Sequence, residues 1–223
     1  MNTSFLAALS SVVVRCDSSV PTVHDQLFDV HIPKHISVKG TQKQDLFATA
    51  HRCMNNWCFL KPARAYVLGL FVDHGALNRL KTMSPDNARV SREDVFKTDC
   101  PKSFVLYFSS SKDIKHIRRG FTRSFETFIK DKPHLQLSMI THFLTVLDKR
   151  ERLQKGDFIR VSCNPSSKSL TVSLNDETEL TLTDAAGLID WIHSLYVGLE
   201  SNPVARYVSM QQKLRLANPD SSD

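Results

Sequence analysis

The feature that most constrains this chain is the run Ala63–Val72, ARAYVLGLFV, set between Pro62 and Asp73. It is short, aromatic and β-branched, and it carries no charge after Arg64. That composition between two breakers predicts a central β-strand rather than a helix. Gly69 in its middle marks a point where another part of the molecule packs close against the backbone.

The segments on either side supply partners for such a strand. Leu46, Ala48 and Ala50 alternate with Phe47, Thr49 and His51, which predicts a strand partly covered on both faces. Before it, residues 26–38 read as short extended pieces broken at Pro33, and residues 40–44 as a polar turn. A second apolar piece runs from Trp57 to Leu60. After the central strand come a helix over 75–83, a further helix opening at Ser84-Pro85-Asp86, and a strand over 104–108. Ile114, Ile117, Phe121, Phe125 and Phe128 then recur at three- and four-residue spacing, the mark of an amphipathic helix that Pro133 ends. Residues 135–153 repeat the pattern through Ile140, Leu144 and Leu147. Gly156 turns the chain into strands over 158–163 and 169–174, joined by the turn-rich Asn164-Pro165-Ser166-Ser167, with a third strand over 179–182. Asp184 is the expected N-cap of a helix through Leu188, Ile192 and Leu195. Gly198 is expected to end that helix, and Pro203 to start another. Strands followed by helices, then a meander and more helices, make an α+β fold. One domain is expected over 26–212, with an N-terminal arm over 1–25 and a flexible tail over 213–223.

Composition narrows the functional classes. With 223 residues, 41% hydrophobic and 23% charged, a full core can be buried. The net charge of +6 favours acidic partners, anionic lipid or a mitochondrial address, and its modest size gives no reason to expect nucleic acid. Five scattered cysteines do not form a disulfide framework, so reduced thiols are expected. Cys53 and Cys58 lack the second ligand pair of a zinc site, and no metal is expected. No stretch reaches the ~18 apolar residues of a membrane span. The first sixteen residues, MNTSFLAALSSVVVRC, lack acid, are rich in Ser and small apolar residues, and contain Arg15. These are transit-peptide traits that suggest mitochondrial import, the alternative being a loosely packed arm on a cytoplasmic protein. A Ser-His-Asp order, a Gly-rich phosphate loop and an HExxH helix are absent from the sequence.

Three segments carry a resemblance to a known family. HISVKGTQKQDLFATAHR (His35–Arg52) followed by AYVLGLFV (Ala65–Val72) resembles the opening of the chalcone isomerase-like family. Val105–Phe121 is similar to the family's strand-then-helix segment, and Gly156-Asp157, Leu195-Tyr196-Val197-Gly198 and Asn202-Pro203-Val204 are similar to its closing part. The resemblance implies an open-faced sandwich, a large antiparallel sheet covered by a layer of helices, with a cleft between them. It also implies that Arg52 is the family's buried arginine. In the ring-closing enzymes that charge stabilises a forming enolate, and in the non-plant branches it holds a fatty-acid carboxylate. Tyr66 stands where the enzymes keep a threonine, as in the fatty-acid-binding branch. Ile117 and Phe121 fall on the segment that walls the cleft. Asp113 or Ile114, Lys115 or His116, and Gly120 occupy the positions of the enzymes' tyrosine, lysine and asparagine. These departures point away from chalcone cyclisation.

The expectation is therefore a protein that binds a fatty acid or similar apolar anion through Arg52, Tyr66, Ile117 and Phe121, without a cofactor. The alternatives are a structural subunit of a mitochondrial complex with a vestigial pocket, and an intramolecular lyase acting on an enone. Phe121, Phe125 and Phe128 also suit a plain helical core. His116 reads as a solvated residue, and Trp57 and Trp191 as buried packing. Lys112, Lys115, Arg118, Arg119 and Arg123 form a basic helix face, either simply solvated or docking an acidic partner or anionic lipid.

Overall fold

The computed structural model describes residues 20–38, 43–53, 60, 64–83, 90, 92–132, 134–135, 137–197 and 215–216. The apolar piece at 57–59, the helix opening at 84–86, Pro133, Gly198, Pro203 and the transit-like residues 1–19 lie outside them.

The chain opens with β1 (Thr22–Asp25) and β2 (Val30–Pro33), an antiparallel hairpin turned through Asp29 at φ +54°. The sequence pattern shows only broken extended pieces here, because the hairpin turn lacks glycine and its alternation is short. Then follow β3 (His35–Ile36), β4 (Gln44–Cys53), β5 (Arg64–Asp73), α1 (His74–Met83), α2 (Arg92–Lys97) and β6 (Lys102–Tyr107). A short β7 (Lys112–Asp113) leads directly into α3 (Ile114–Ile129). Next come α4 (Ser138–Leu144), β8 (Arg152–Leu153), β9 (Phe158–Asn164), β10 (Ser169–Leu174), β11 (Thr178–Leu182), α5 (Ala186–Val197) and β12 (Arg215–Leu216).

Among the described residues the main sheet runs β11-β10-β9-β6-β5-β4-β12, with β3 also on β4, and every pairing is antiparallel. β5 is central, as its composition predicts, and it separates two apolar layers. Leu68, Leu70 and Val72 join Phe104, Leu106, Ile159, Val161 and Leu170 under helices α3, α4 and α5. Val67 and Phe71 face the other way and are covered by Phe28, Val30 and Ile32 of the hairpin. Gly69 lies on this second face: a Cβ there would come within 2.9 Å of the Phe71 ring and 3.5 Å of Ile32. Toward β10 and β11 the same face turns polar, with Thr171 and Thr181 sharing a hydrogen bond of 3.1 Å.

Several local expectations change. Leu46 pairs with Phe71 but Ala48 pairs with Leu70, so Phe47 is an extra residue in β4. This bulge turns Leu46 to the hairpin side, and Phe47, Ala48 and Ala50 to the helix side. The simple alternation read from the sequence breaks there. The helix expected over 135–153 ends at Leu144 and tightens into a 3-10 turn over Thr145–Lys149. Leu153 is fully buried in β8 and pairs with Lys112, because strand pairing beside β7 claims the chain before another helical turn can form. Asp184 adopts φ +52° two residues before α5 rather than capping its first residue. Thr22–Asp25 falls in the expected arm and Arg215–Leu216 in the expected tail, yet both are strands, the latter paired with Thr49 and Ala48. Cys53 is disulfide-bonded, unlike the free, buried Cys100 and Cys163. Scattered spacing carried no signal for which thiols the fold would join.

Candidate functional site

Arg52 and Tyr66 are direct cross-strand partners on β4 and β5. Directly opposed residues of an antiparallel pair project from the same face. Tyr66 shares the parity of Leu68 and Leu70 and packs on the helix-side core, and Arg52 shares that of Ala48 and Ala50. The pair therefore lies on the helix-facing side, at the end of β4 and β5 away from α1. Both are half-buried. The Tyr66 ring meets the buried Phe108 edge-on, with centroids 5.9 Å apart. A second irregularity follows at once: Arg52 opposes Tyr66 while Cys53 opposes Arg64, so Ala65 is left over and Cys53 returns to the hairpin side.

On the hairpin side the neighbouring His51 does different work. Its Nε2 lies 2.5 Å from Asp25 Oδ2, and its ring stacks on Phe28 at 5.0 Å. These contacts fasten the hairpin to β4, while Arg52, the next residue, projects to the opposite, helix-facing side.

Helix α3 belongs to the helix layer on the same side of the sheet. Asp113 is its N-cap and accepts from the Lys115 N–H at 2.7 Å. Ile117 is half-buried against the helix-side core. Phe121, one turn on, is buried and edge-on to Phe143 of α4 at 5.7 Å and to Trp191 of α5 at 6.0 Å. Phe125 meets Trp191 at 5.3 Å, and the indole N–H donates to Ser124 Oγ at 3.1 Å. Phe121 is thus part of the packing between helices, whereas Ile117 sits at the margin of that cluster.

Among the positions matched to the enzymes' facing helix, only Ile114 is buried. Lys115, His116 and Gly120 are exposed, and a side chain at Gly120 would meet nothing within 4 Å. Of the basic group, Arg118 pairs with Asp148 and Lys112 is half-buried, while Lys115, Arg119 and Arg123 are exposed.

A second polar cluster was not anticipated. Lys102 is fully buried on the helix side of β6 and donates to the carbonyls of Thr98 (2.6 Å) and Cys100 (3.1 Å). Burial lowers its ammonium below the usual lysine range. Its cross-strand partner Cys163 has its thiol pushed up to about 12 by burial, and Cys100 is raised for the same reason. His193 of α5 is held down to about 4 by burial and then by the Lys102 charge. Its ring lies 5.4 Å from Phe96 and 5.9 Å from Phe104, and its buried Nε2 has no hydrogen-bond partner. Thiols with raised pKa are poor nucleophiles. The Lys102 bonds hold the α2–β6 loop against the sheet. Its signal was the parity of Lys102 with Phe104 and Leu106, which points the lysine inward.

No family model matches the chain. Among curated proteins it is similar to the aspartate–tRNA(Asp/Asn) ligases of Rickettsia felis and Rickettsia bellii, 27% identical over 135 residues. The matched stretch is 55% of this chain but 22% of each ligase, so the chain spans under a quarter of the length of these relatives. Among solved structures it is similar to a fatty-acid binding protein of Arabidopsis thaliana, with TM-score 0.63 and 16% identity. That similarity covers 86% of this chain and 95% of the other. At this identity the likeness establishes the fold, which is α+β and chalcone isomerase-like.

Proposed function

We propose that this chain binds a fatty acid or similar apolar anion on the helix-facing side of its sheet. Arg52 holds the carboxylate, Tyr66 stands beside it, and Ile117 lies along the apolar tail. The observation that carries this reading is the cross-strand pairing of Arg52 with Tyr66 on the apolar face. A guanidinium offers a carboxylate two parallel N–H donors, and the surrounding low dielectric strengthens the attraction. Further support comes from the fold shared with a fatty-acid binding protein. Phe121 contributes as packing behind the site.

The test is binding of oleate to delipidated protein, with mass spectrometry of whatever copurifies. Wild type is expected to carry and rebind fatty acid, and Arg52→Ala to lose at least tenfold in affinity while keeping its circular dichroism and melting temperature. Arg52→Gln serves if the alanine variant does not fold. Wild-type protein that neither copurifies with fatty acid nor binds oleate overturns the proposal.

A second reading rests on the aromatic packing of Phe121 against Phe143 and Trp191. If that packing fills the interior, the fold serves as a scaffold in a larger assembly, for which a mitochondrial complex was the sequence-based candidate. Comigration with a large complex on a native gel, together with absent oleate binding, favours this second reading.

A further inference from the structure

α3 carries two opposed faces. One buries Ile114, Phe121, Phe125 and Phe128. The other presents Lys115, Arg119 and Arg123, spaced by four residues and therefore stacked in one stripe with steps of about 6 Å. Arg118 is neutralised by Asp148, but Lys115, Arg119 and Arg123 form no side-chain ion pair among the described residues. Three exposed cations on one helix face repel one another, and burial does not force them into this arrangement. The nearest carboxylates in sequence bracket the stripe: Asp113, the N-cap two residues before Lys115, and Glu126, three residues after Arg123. The chain as a whole is also positive, at +6.

We propose that this stripe docks the protein onto an anionic lipid bilayer. The inference rests on the apolar-anion reading above and extends it to the source of the ligand. A bilayer fits better than nucleic acid or an acidic protein for a reason of placement. The helix that offers the cations outward also packs Ile117 into the helix-side core, so docking by this face lays the helix layer that covers this side of the sheet against the surface where apolar anions reside. Attraction to an anionic surface falls off within a Debye length, so cations held along one exposed helix face act together.

The experiment is sedimentation with vesicles of phosphatidylcholine containing 30% phosphatidylserine, compared with pure phosphatidylcholine, at low and at physiological salt. Three proteins are compared: wild type, Lys115→Glu/Arg119→Glu/Arg123→Glu, and a charge-matched control, Lys34→Glu/Lys43→Glu/Lys168→Glu. Folding is checked by circular dichroism, and oleate binding is measured separately without vesicles. Wild type is expected to bind the anionic vesicles and release at high salt. The stripe variant is expected to lose roughly a hundredfold, at about fivefold per cation removed, with more from reversal. The control is expected to keep its binding within about threefold, and both variants to bind oleate normally. Equal binding to both vesicle types, unchanged binding by the stripe variant, or equal loss in the control overturns the proposal. So does stripe-dependent binding to an RNA oligonucleotide or an acidic peptide without binding to vesicles. Loss of oleate binding in wild type would instead remove the apolar-anion reading, which the vesicle measurement does not decide.

Discussion

Trp191 donates its indole N–H to Ser124 Oγ across 3.1 Å, joining α5 to α3 at the middle of the helix layer. The ring is fully buried and edge-on to Phe121, Phe125 and Phe143, so one side chain ties three helices together. Quadrupole-matched edge contacts of this kind add to the area buried.

Trp191→Ala is therefore expected to cost about 3–5 kcal/mol of folding stability by urea unfolding. Ser124→Ala should cost about 1–3 kcal/mol, since it leaves the buried indole donor unpaired. If Ser124→Ala is neutral while Trp191→Ala is severe, packing alone holds α5 in place.

His193 sets a pH dependence. Its folded pKa, about 4, lies below the ordinary 6.5 of histidine, so between these values the unfolded chain binds the extra proton. Stability should accordingly be full above pH 6.5 and decline as pH falls toward 4, by on the order of 3 kcal/mol for this group. His193→Phe should flatten that slope and leave stability at pH 7 equal or higher, because the orphaned Nε2 is removed from an aromatic setting. Urea midpoints measured from pH 4 to 8 decide it, and an unchanged slope in the variant would assign the acid sensitivity to other groups.

Gly69→Ala tests the hairpin cover. The new methyl would press on Phe71, which is fully buried and has little room to retreat. A loss of about 1–3 kcal/mol is expected, with faster hydrogen exchange in β1 and β2. Exchange unchanged in the hairpin would mean that Phe71 yields instead.

Asp157 anchors the start of the meander. Its carboxylate accepts from the Gln154 N–H at 2.7 Å and Asn175 Nδ2 at 2.7 Å, and it pairs with Arg150. Asp157→Ala strands several donors at once and should cost about 2–4 kcal/mol in urea unfolding. Asp157→Asn, which keeps an acceptor oxygen, should cost less. Equal losses would show that charge, not hydrogen-bond geometry, is what the turn requires.

The sequence by itself determined the α+β class, the central strand through Gly69, the helix from Ile114 and the three-strand meander. Each rests on a local period of apolar residues or on turn chemistry that neighbours within a few residues enforce. The likeness that singled out Arg52 and Tyr66 was also readable from the chain, but their apposition was not. Only the tertiary structure decided that they oppose each other, because the bulge at Phe47 sets the register in which β4 and β5 run on to them. Shifting a strand by one residue exchanges its faces, and no local pattern encodes where that shift occurs. The same holds for the hairpin over Gly69, the strand that claimed Leu153, and the buried Lys102. Each depends on a partner distant in sequence, whose free energy of burial outweighs what the local pattern prefers.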